Sequence, residues 1–261
     1  MFKSLDSMDV KELSSIGKAF AILSIFTENS PSLRTSDIAN KLGLTVSTVS
    51  RQLSTMLDFG FVERDDITGF YSPGPAIIGL AGLTLQNNDL YRHGAAEIQL
   101  FAHEHNVHCH LGMPHKKEII HLVNSCSKNT MDLLIPMGHT HPMYCSAMGR
   151  AILAYTPIDK VQQILKNSSL VKYTPETKTD FLDISHEIVL SNQRGYCLML
   201  DELIMNKGAL AAPIFDRNRN PIGAISISAG SSFLKSKETD LSKALLVTAS
   251  RISGKLGYFP K

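Results

Sequence analysis

DIANKLGLTVSTVSRQLSTMLDFGFVER, residues 37–64, holds two short helix-like segments separated by a glycine, with only Lys41, Arg51 and Arg64 as basic side chains. In the first, Ile38, Ala39 and Leu42 fall on one face. Thr35 or Ser36 suits the N-cap, and Gly43 suits the left-handed position that ends a helix. Thr45 then opens a second helix running to about Asp58. Before them, SIGKAFAILSIFT (15–27) sets Ile16, Ala19, Phe20, Leu23 and Phe26 at helical spacing, and Asn29 and Pro31 break it. After them, Phe61–Glu63 reads as a strand, DDITG (65–69) as a turn and FYS (70–72) as the returning strand. Three helices followed by a hairpin is the order of a winged helix-turn-helix.

The helix from Thr45 has two unlike faces. Val49, Leu53, Met56 and Leu57 follow i, i+4, i+7, i+8 and can seat it on its neighbours. The opposite stripe is Ser47, Ser50, Arg51 and Ser54, with Thr48 and Thr55 beside it. Short hydroxyls let a helix approach phosphates and base edges closely, and Arg51 can bond a guanine edge with two N–H groups or hold a phosphate. Arg64 lies at the base of the hairpin, whose tip would approach the adjacent groove. The same pattern also fits a solvated Ser/Thr face on an interaction module, and on periodicity alone both readings stand.

The totals bound the rest. A chain of 261 residues, 43% hydrophobic and 19% charged, suits one large or two modest globular domains. No apolar run approaches the roughly 18–20 residues of a membrane span, so no membrane association is expected. The opening MFKSLDSMDVKELSS carries acids where a secretory leader needs an apolar stretch. Cys109, Cys126, Cys145 and Cys197 are widely spaced, which points to free thiols in a reducing, cytoplasmic setting. Residues 1–90 hold 7 Lys+Arg against 10 Asp+Glu, a net charge of −3. That lacks the basic footprint usual in nucleic-acid binders, so a DNA role must rest on local geometry.

PGPAIIGLAGLTLQNN (73–88) reads as a linker helix. Beyond it, helices and strands alternate irregularly: a helix over 90–106, paired strands in 107–113 and 118–126, a strand at 131–137, helices over 146–155, 157–167 and 180–195, strands over 196–200, 208–216 and 221–229, and a closing helix at 236–257. This is an α+β domain with a largely antiparallel sheet flanked by helices. Ser146, Ala147, Met148 and Gly149 sit where a helix begins, with free N–H groups and partial positive charge. In AISISA, Ser226 and Ser228 share one strand face, and Ile225 and Ile227 share the other. Packing alone would also account for both patterns.

Nine of the ten histidines lie between His93 and His141. The spacing of His103, His105, His108, Cys109, His110, His139 and His141 matches no standard zinc pattern. His108 and His110 share a strand face, whereas His103 and His105, at about 100° per residue, sit on different sides of a helix. No metal and no cofactor is expected. Cys145-Ser146 lacks a G-x-S-x-G elbow and a partnered His/Asp, so no catalytic residue is assigned.

The chain resembles the IclR family of bacterial transcription regulators. Residues 37–74 follow that family's N-terminal pattern. HPMYCSAMGRAILAY, RGYCLMLDE and AAPIFDRNRNPIGAISISA follow its C-terminal one, in order. The resemblance implies a winged helix-turn-helix over 1–80, a linker helix over 74–92 and a GAF-like effector-binding domain over 93–261. It implies a homodimer or homotetramer on a palindromic operator in double-stranded DNA, with Thr45, Ser47, Thr48, Ser50, Arg51, Ser54 and Arg64 facing it. It also implies a small-molecule effector, typically an organic acid, near Ser146, Ala147, Met148, Gly149, Met199, Ala209, Ser226 and Ser228. Val46 stands where the family often has a basic residue, and Met199 and Ala209 where it often has an acid and a cysteine, so a less polar pocket is expected. The rival from another class is a GAF-like sensor or enzyme with an N-terminal protein-interaction module.

Overall fold

A computed structural model describes residues 9–126 and 135–259. The chain divides into two compact units, Met1–Leu85 and Gln86–Lys261.

In the first unit, a 3-10 turn (Val10–Glu12) leads into α1 (Ser15–Ser24), α2 (Thr35–Leu42) and α3 (Val46–Asp58). The hairpin β1 (Val62–Arg64) and β2 (Tyr71–Pro73) follows, then α4 (Pro75–Gln86). The core joins Ala21, Ile22 and Ile25 to Ile38, Leu42, Val49, Leu53, Met56 and Val62. Two expected faces are corrected. Ile16 and Phe20 of α1 are exposed, at 69% and 66%, and Ala21 and Ile22 point inward. SIGKAFAILSIF is apolar almost all round, so periodicity does not select a side. On α3, Gln52 takes the buried place expected of Leu57, with its Nε2 donating to Ser15 Oγ at 2.8 Å. The N-cap of α2 is Arg34, not Thr35 or Ser36: Asp37 accepts from the Arg34 N–H at 3.1 Å, and no Ser or Thr is needed. Gly43 adopts φ 64°, which a β-carbon would strain. Leu33 and Tyr71 exchange backbone hydrogen bonds at 2.9 and 2.8 Å, fastening the hairpin to the segment before α2.

The second unit is built on six antiparallel strands in the order β5-β4-β3-β8-β7-β6: β3 (His108–His115), β4 (Glu118–Ser125), β5 (Thr140–Pro142), β6 (Cys197–Leu200), β7 (Lys207–Phe215) and β8 (Pro221–Gly230). Of these, β5 was not expected. The anticipated strand at 131–137 lies over residues 131–134 outside the described residues. Helices α5 (Asp89–His105) and α9 (Ser231–Lys255) pack on one face of the sheet and on each other. Buried Glu97 ties them together, accepting from Arg251 at 2.8 Å and Lys255 at 2.7 Å. Gly94 and Gly223 let these elements close: a β-carbon at Gly94 would lie 2.6 Å from Leu111 Cδ2, and one at Gly223 2.3 Å from Leu90 Cδ2. α9 begins five residues earlier than its expected start at 236. The other face carries α6 (Ala147–Leu153), backed by α7 (Ile158–Lys166) and α8 (Phe181–Arg194).

Candidate functional site

In the first unit the outward stripe of α3 is intact. Thr45, Ser47, Ser50, Arg51 and Ser54 are exposed, and Thr48 is half-buried. Thr45 is the N-cap, its Oγ1 accepting from the Thr48 N–H at 3.2 Å. The same oxygen lies 3.1 Å from Ser47 Oγ and 2.8 Å from Thr48 Oγ1. Three hydroxyls are thus gathered at the start of the helix, where the backbone N–H groups carry partial positive charge. Arg51 emerges one turn later from a helix with no acid in its first turn. In the hairpin, the Arg64 guanidinium lies 5.9 Å from the Tyr71 ring centre. Asp65 Oδ1 accepts from the Ile67 and Thr68 N–H groups at 3.0 and 2.7 Å and from Thr68 Oγ1 at 2.9 Å. These bonds, chiefly that from Thr68, hold its carboxyl below the usual range. They engage the acid inside its own turn and leave Ile67 at the tip, 95% exposed.

In the second unit the register sets two rows of side chains across the sheet face beneath α6. One runs Met199–Ala209–Ser228–His108, and the next Cys197–Ala211–Ser226–His110–Asn124. Met199, Ala209, Ser226 and Ser228, chosen from three separate segments, therefore meet on one surface. Ala147 and Met148 of α6 pack in the same cluster as Met199 and Ala211. Gly112 admits the Met148 sulfur, which would lie 3.0 Å from a β-carbon there. Ser146 and Gly149 build the helix start: Ser146 Oγ accepts the Gly149 N–H at 3.2 Å. Gly149 lies so close to Met143 that a β-carbon would come within 2.3 Å of its carbonyl oxygen.

Two groups on this side of the sheet escaped the sequence reading. Arg150, fully buried, faces Glu202 and ties α6 to the loop after β6; an arginine inside a helix gives no sign of its partner 52 residues away. The second group is a chain of imidazoles. His110 Nε2 lies 2.8 Å from Ser228 Oγ, and His110 Nδ1 lies 2.8 Å from Asn124 Oδ1. His121 Nδ1 lies 3.3 Å from the same oxygen, and His121 Nε2 lies 3.1 Å from His141 Nδ1. Burial, reinforced by neighbouring rings, lowers His110 and His141 to about 4 and His121 to about 2, so all three are neutral near pH 7. Among the described residues, no three His, Cys, Asp or Glu side chains are placed to hold a metal ion. Cys145 is buried, and that burial pushes its thiol up to about 12, out of the nucleophilic range.

The IclR helix-turn-helix domain model matches residues 15–66, and the model of the bacterial transcriptional regulator IclR C-terminal domain matches residues 83–254. The HTH-type transcriptional regulator KipR of Bacillus subtilis is 28% identical over 242 residues, spanning 92% of this chain and 96% of that protein. The crystal structure of Thermotoga maritima IclR superposes with a TM-score of 0.79 at 26% identity, covering 94% of this chain and 99% of that one. An IclR homologue from Microbacterium hydrocarbonoxydans, solved in complex with 4-hydroxybenzoate, has the same fold, with a TM-score of 0.83 at 20% identity over 93% of this chain and 99% of that one. With a winged helix-turn-helix in front and a six-stranded effector domain behind, this chain belongs to the IclR family of bacterial transcriptional regulators.

Proposed function

We propose that α3 reads a palindromic operator through Thr45, Ser47, Thr48, Ser50, Arg51 and Ser54, with Arg64 against the backbone, and that a small effector held beneath α6 shifts this binding. The carrying observation is the solvent-facing side of α3, where every exposed side chain from Thr45 to Ser54 except Val46 is a hydroxyl or Arg51. A single short helix makes few base contacts, so two copies are needed for a stable complex. The composition of α4 supports self-association: PAIIGLAGLTLQ has no buried residue in one chain, and Ile78 and Leu80 are exposed at 75% and 53%. An apolar helix left in water is the sort of surface that pairs with another.

The effector contacts fall to Ala147, Met148, Met199, Ala209, Ser226 and Ser228. Ser146 and Gly149 set the position of the first two. A small organic acid is the effector class we favour, in line with the 4-hydroxybenzoate bound by the Microbacterium homologue. The protein acts as a cytoplasmic regulator and not as an enzyme; the buried, protonated Cys145 supports the second point. A gel shift with DNA flanking the protein's own gene tests the DNA reading. A specific, salt-sensitive complex that dissociates or tightens with an added organic acid is expected, and the absence of any sequence-specific complex refutes it.

A further inference from the structure

The imidazole chain has a direction. The Asn124 amide N–H donates to the Ile135 carbonyl, which turns its Oδ1 toward both His110 and His121. A carbonyl oxygen only accepts, so His110 and His121 each donate from Nδ1. In a neutral imidazole the other nitrogen then carries a lone pair. His110 Nε2 must therefore accept, and Ser228 donates its single hydroxyl proton to it. At the far end, His121 Nε2 accepts from the His141 Nδ1–H by the same logic. Ser228, a half-buried residue in the row that joins Ala209 and Met199, is left with lone pairs only.

We infer that Ser228 is a hydrogen-bond acceptor toward the effector, and that the effector is a hydroxylated compound whose neutral O–H, not its carboxylate, contacts this end of the site. The inference rests on the effector reading above and sharpens it. A carboxylate oxygen needs a donor, and Ser228 has none to offer while its proton is held by His110. Neither does the sheet supply a compensating charge, since His110, His121 and His141 are neutral near pH 7. Apolar Ala209 and Met199 flank the acceptor and add none. A protonated His110, or a neutral Nε2–H tautomer facing a turned Asn124 amide, would reverse the bond, donating from Nε2 and freeing the Ser228 proton. On this reading Ser228 meets a hydroxyl donor, and the acid group of the effector lies elsewhere in the site. A site built around one hydrogen-bonded hydroxyl rejects the analogue that lacks it far more strongly than it rejects a change in bulk.

The test uses the full chain at pH 7.5 and matched pairs of probes. These are 4-hydroxybenzoate with 4-methoxybenzoate and benzoate, and lactate and 3-hydroxybutyrate with their O-methyl ethers and parent acids, with affinities read by calorimetry. At least one hydroxy acid is expected to bind tenfold or more tightly than its ether and its parent. Ser228→Ala should erase that preference while leaving the weak binding of the ether in place. Parent acids binding as well as hydroxy acids, or a preference that survives Ser228→Ala, overturns the inference and leaves the effector reading intact. No binding by any probe counts against both. Histidine nitrogen chemical shifts of the unliganded protein separate the two cases without any ligand: His110 is expected as the Nδ1–H tautomer, and an Nε2–H tautomer overturns the inference by itself.

Discussion

Arg150 and Glu202 meet at two points: Nη1 lies 2.6 Å from Oε1 and Nη2 2.7 Å from Oε2. Both residues are buried, and each has further obligations. Arg150 Nε donates to the Tyr144 carbonyl at 2.7 Å, and Glu202 Oε2 accepts from the Lys178 N–H at 3.0 Å. The pair joins the segment before α6 to the segment before α8 through the loop after β6. Removing one partner leaves a charge buried without its counterion. Arg150→Met or Glu202→Gln should each destabilise the protein by about 3–5 kcal/mol, read by chemical denaturation. The double variant Arg150→Met/Glu202→Leu should recover part of that loss, because no lone charge remains. Single variants as stable as the wild type would show that the pair is not closed in solution.

The start of α6 is equally exacting. A methyl group at position 149 would meet the Met143 carbonyl, its α-carbon and the Ser146 hydroxyl, at 2.3, 2.4 and 2.6 Å. Two of these atoms are backbone and cannot rotate away. Gly149→Ala should cost about 1–3 kcal/mol from overpacking and should weaken effector binding as well, since Ala147 and Met148 move with the turn. Gly254 has nothing within 4 Å of the same added atom. Gly254→Ala, inside α9, should be neutral or stabilising by up to about 1 kcal/mol. A calorimetric comparison of the two variants separates crowding from any general intolerance of substitution.

The imidazole chain makes stability depend on pH in a defined window. In the unfolded chain, His110, His121 and His141 take up protons near their ordinary value of 6.5, but in the folded protein they do so only near 4 or below. Between those limits the unfolded state binds more protons, so stability falls as pH drops from about 6.5 toward 4, and these groups have no effect above about 7. Glu97 is buried and Glu187 half-buried, but Lys255 and Arg251 in the first case and Lys178 in the second outweigh that desolvation and keep their carboxyls low. Their contribution is lost as the pH falls through and below the ordinary carboxylate value of 4.5, later than that of the imidazoles. Thermal midpoints measured in steps from pH 8 to 4 should therefore be flat, then fall. His141→Gln should make the fall between 6.5 and 5 shallower. A flat wild-type profile down to pH 5 would contradict the buried, neutral chain.

Why the order of helices and strands is readable in sequence, while the pocket chemistry is not, follows from range. Gly43, Thr45 and the apolar positions 49, 53 and 56 act within one or two turns. They announce α2, the turn and α3 locally. The His110–Asn124 contact depends on how β3 pairs with β4, including a register shift between Leu111 and Gly112, and His141 joins from β5, a three-residue strand without a local signature. The same limit hid Glu202 from Arg150. Where local pattern failed, the cause was ambiguity in the pattern itself. α1 offers two apolar faces, and Gln52 looks like a surface residue until Ser15, 37 positions earlier, is placed beside it. The serines of AISISA were legible as a shared face, but the direction of the Ser228 hydrogen bond required the whole chain from Asn124 onward.

Arg51 and Gln52 are neighbours in sequence with opposite roles, and the contrast tests the interface on α3. Arg51 is exposed. Arg51→Ala should leave the thermal midpoint unchanged and weaken operator binding by about 1–3 kcal/mol, relaxing preference at one base position if it reads a base edge. If it holds a phosphate, the loss should instead be even across sequences, and the salt dependence of binding should fall by about one unit. Gln52 is buried, and its amide holds α1 through Ser15. Gln52→Ala removes that bond and opens a void between α1 and α3, and should cost about 1–3 kcal/mol of stability in the first unit. Its DNA affinity should recover once the domain is measured well below its melting temperature, because no side chain on the outward face has changed. Gel shifts and melting curves on the two variants read both quantities. If Arg51→Ala binds operator as tightly as the wild type, the outward face of α3 is not what touches DNA.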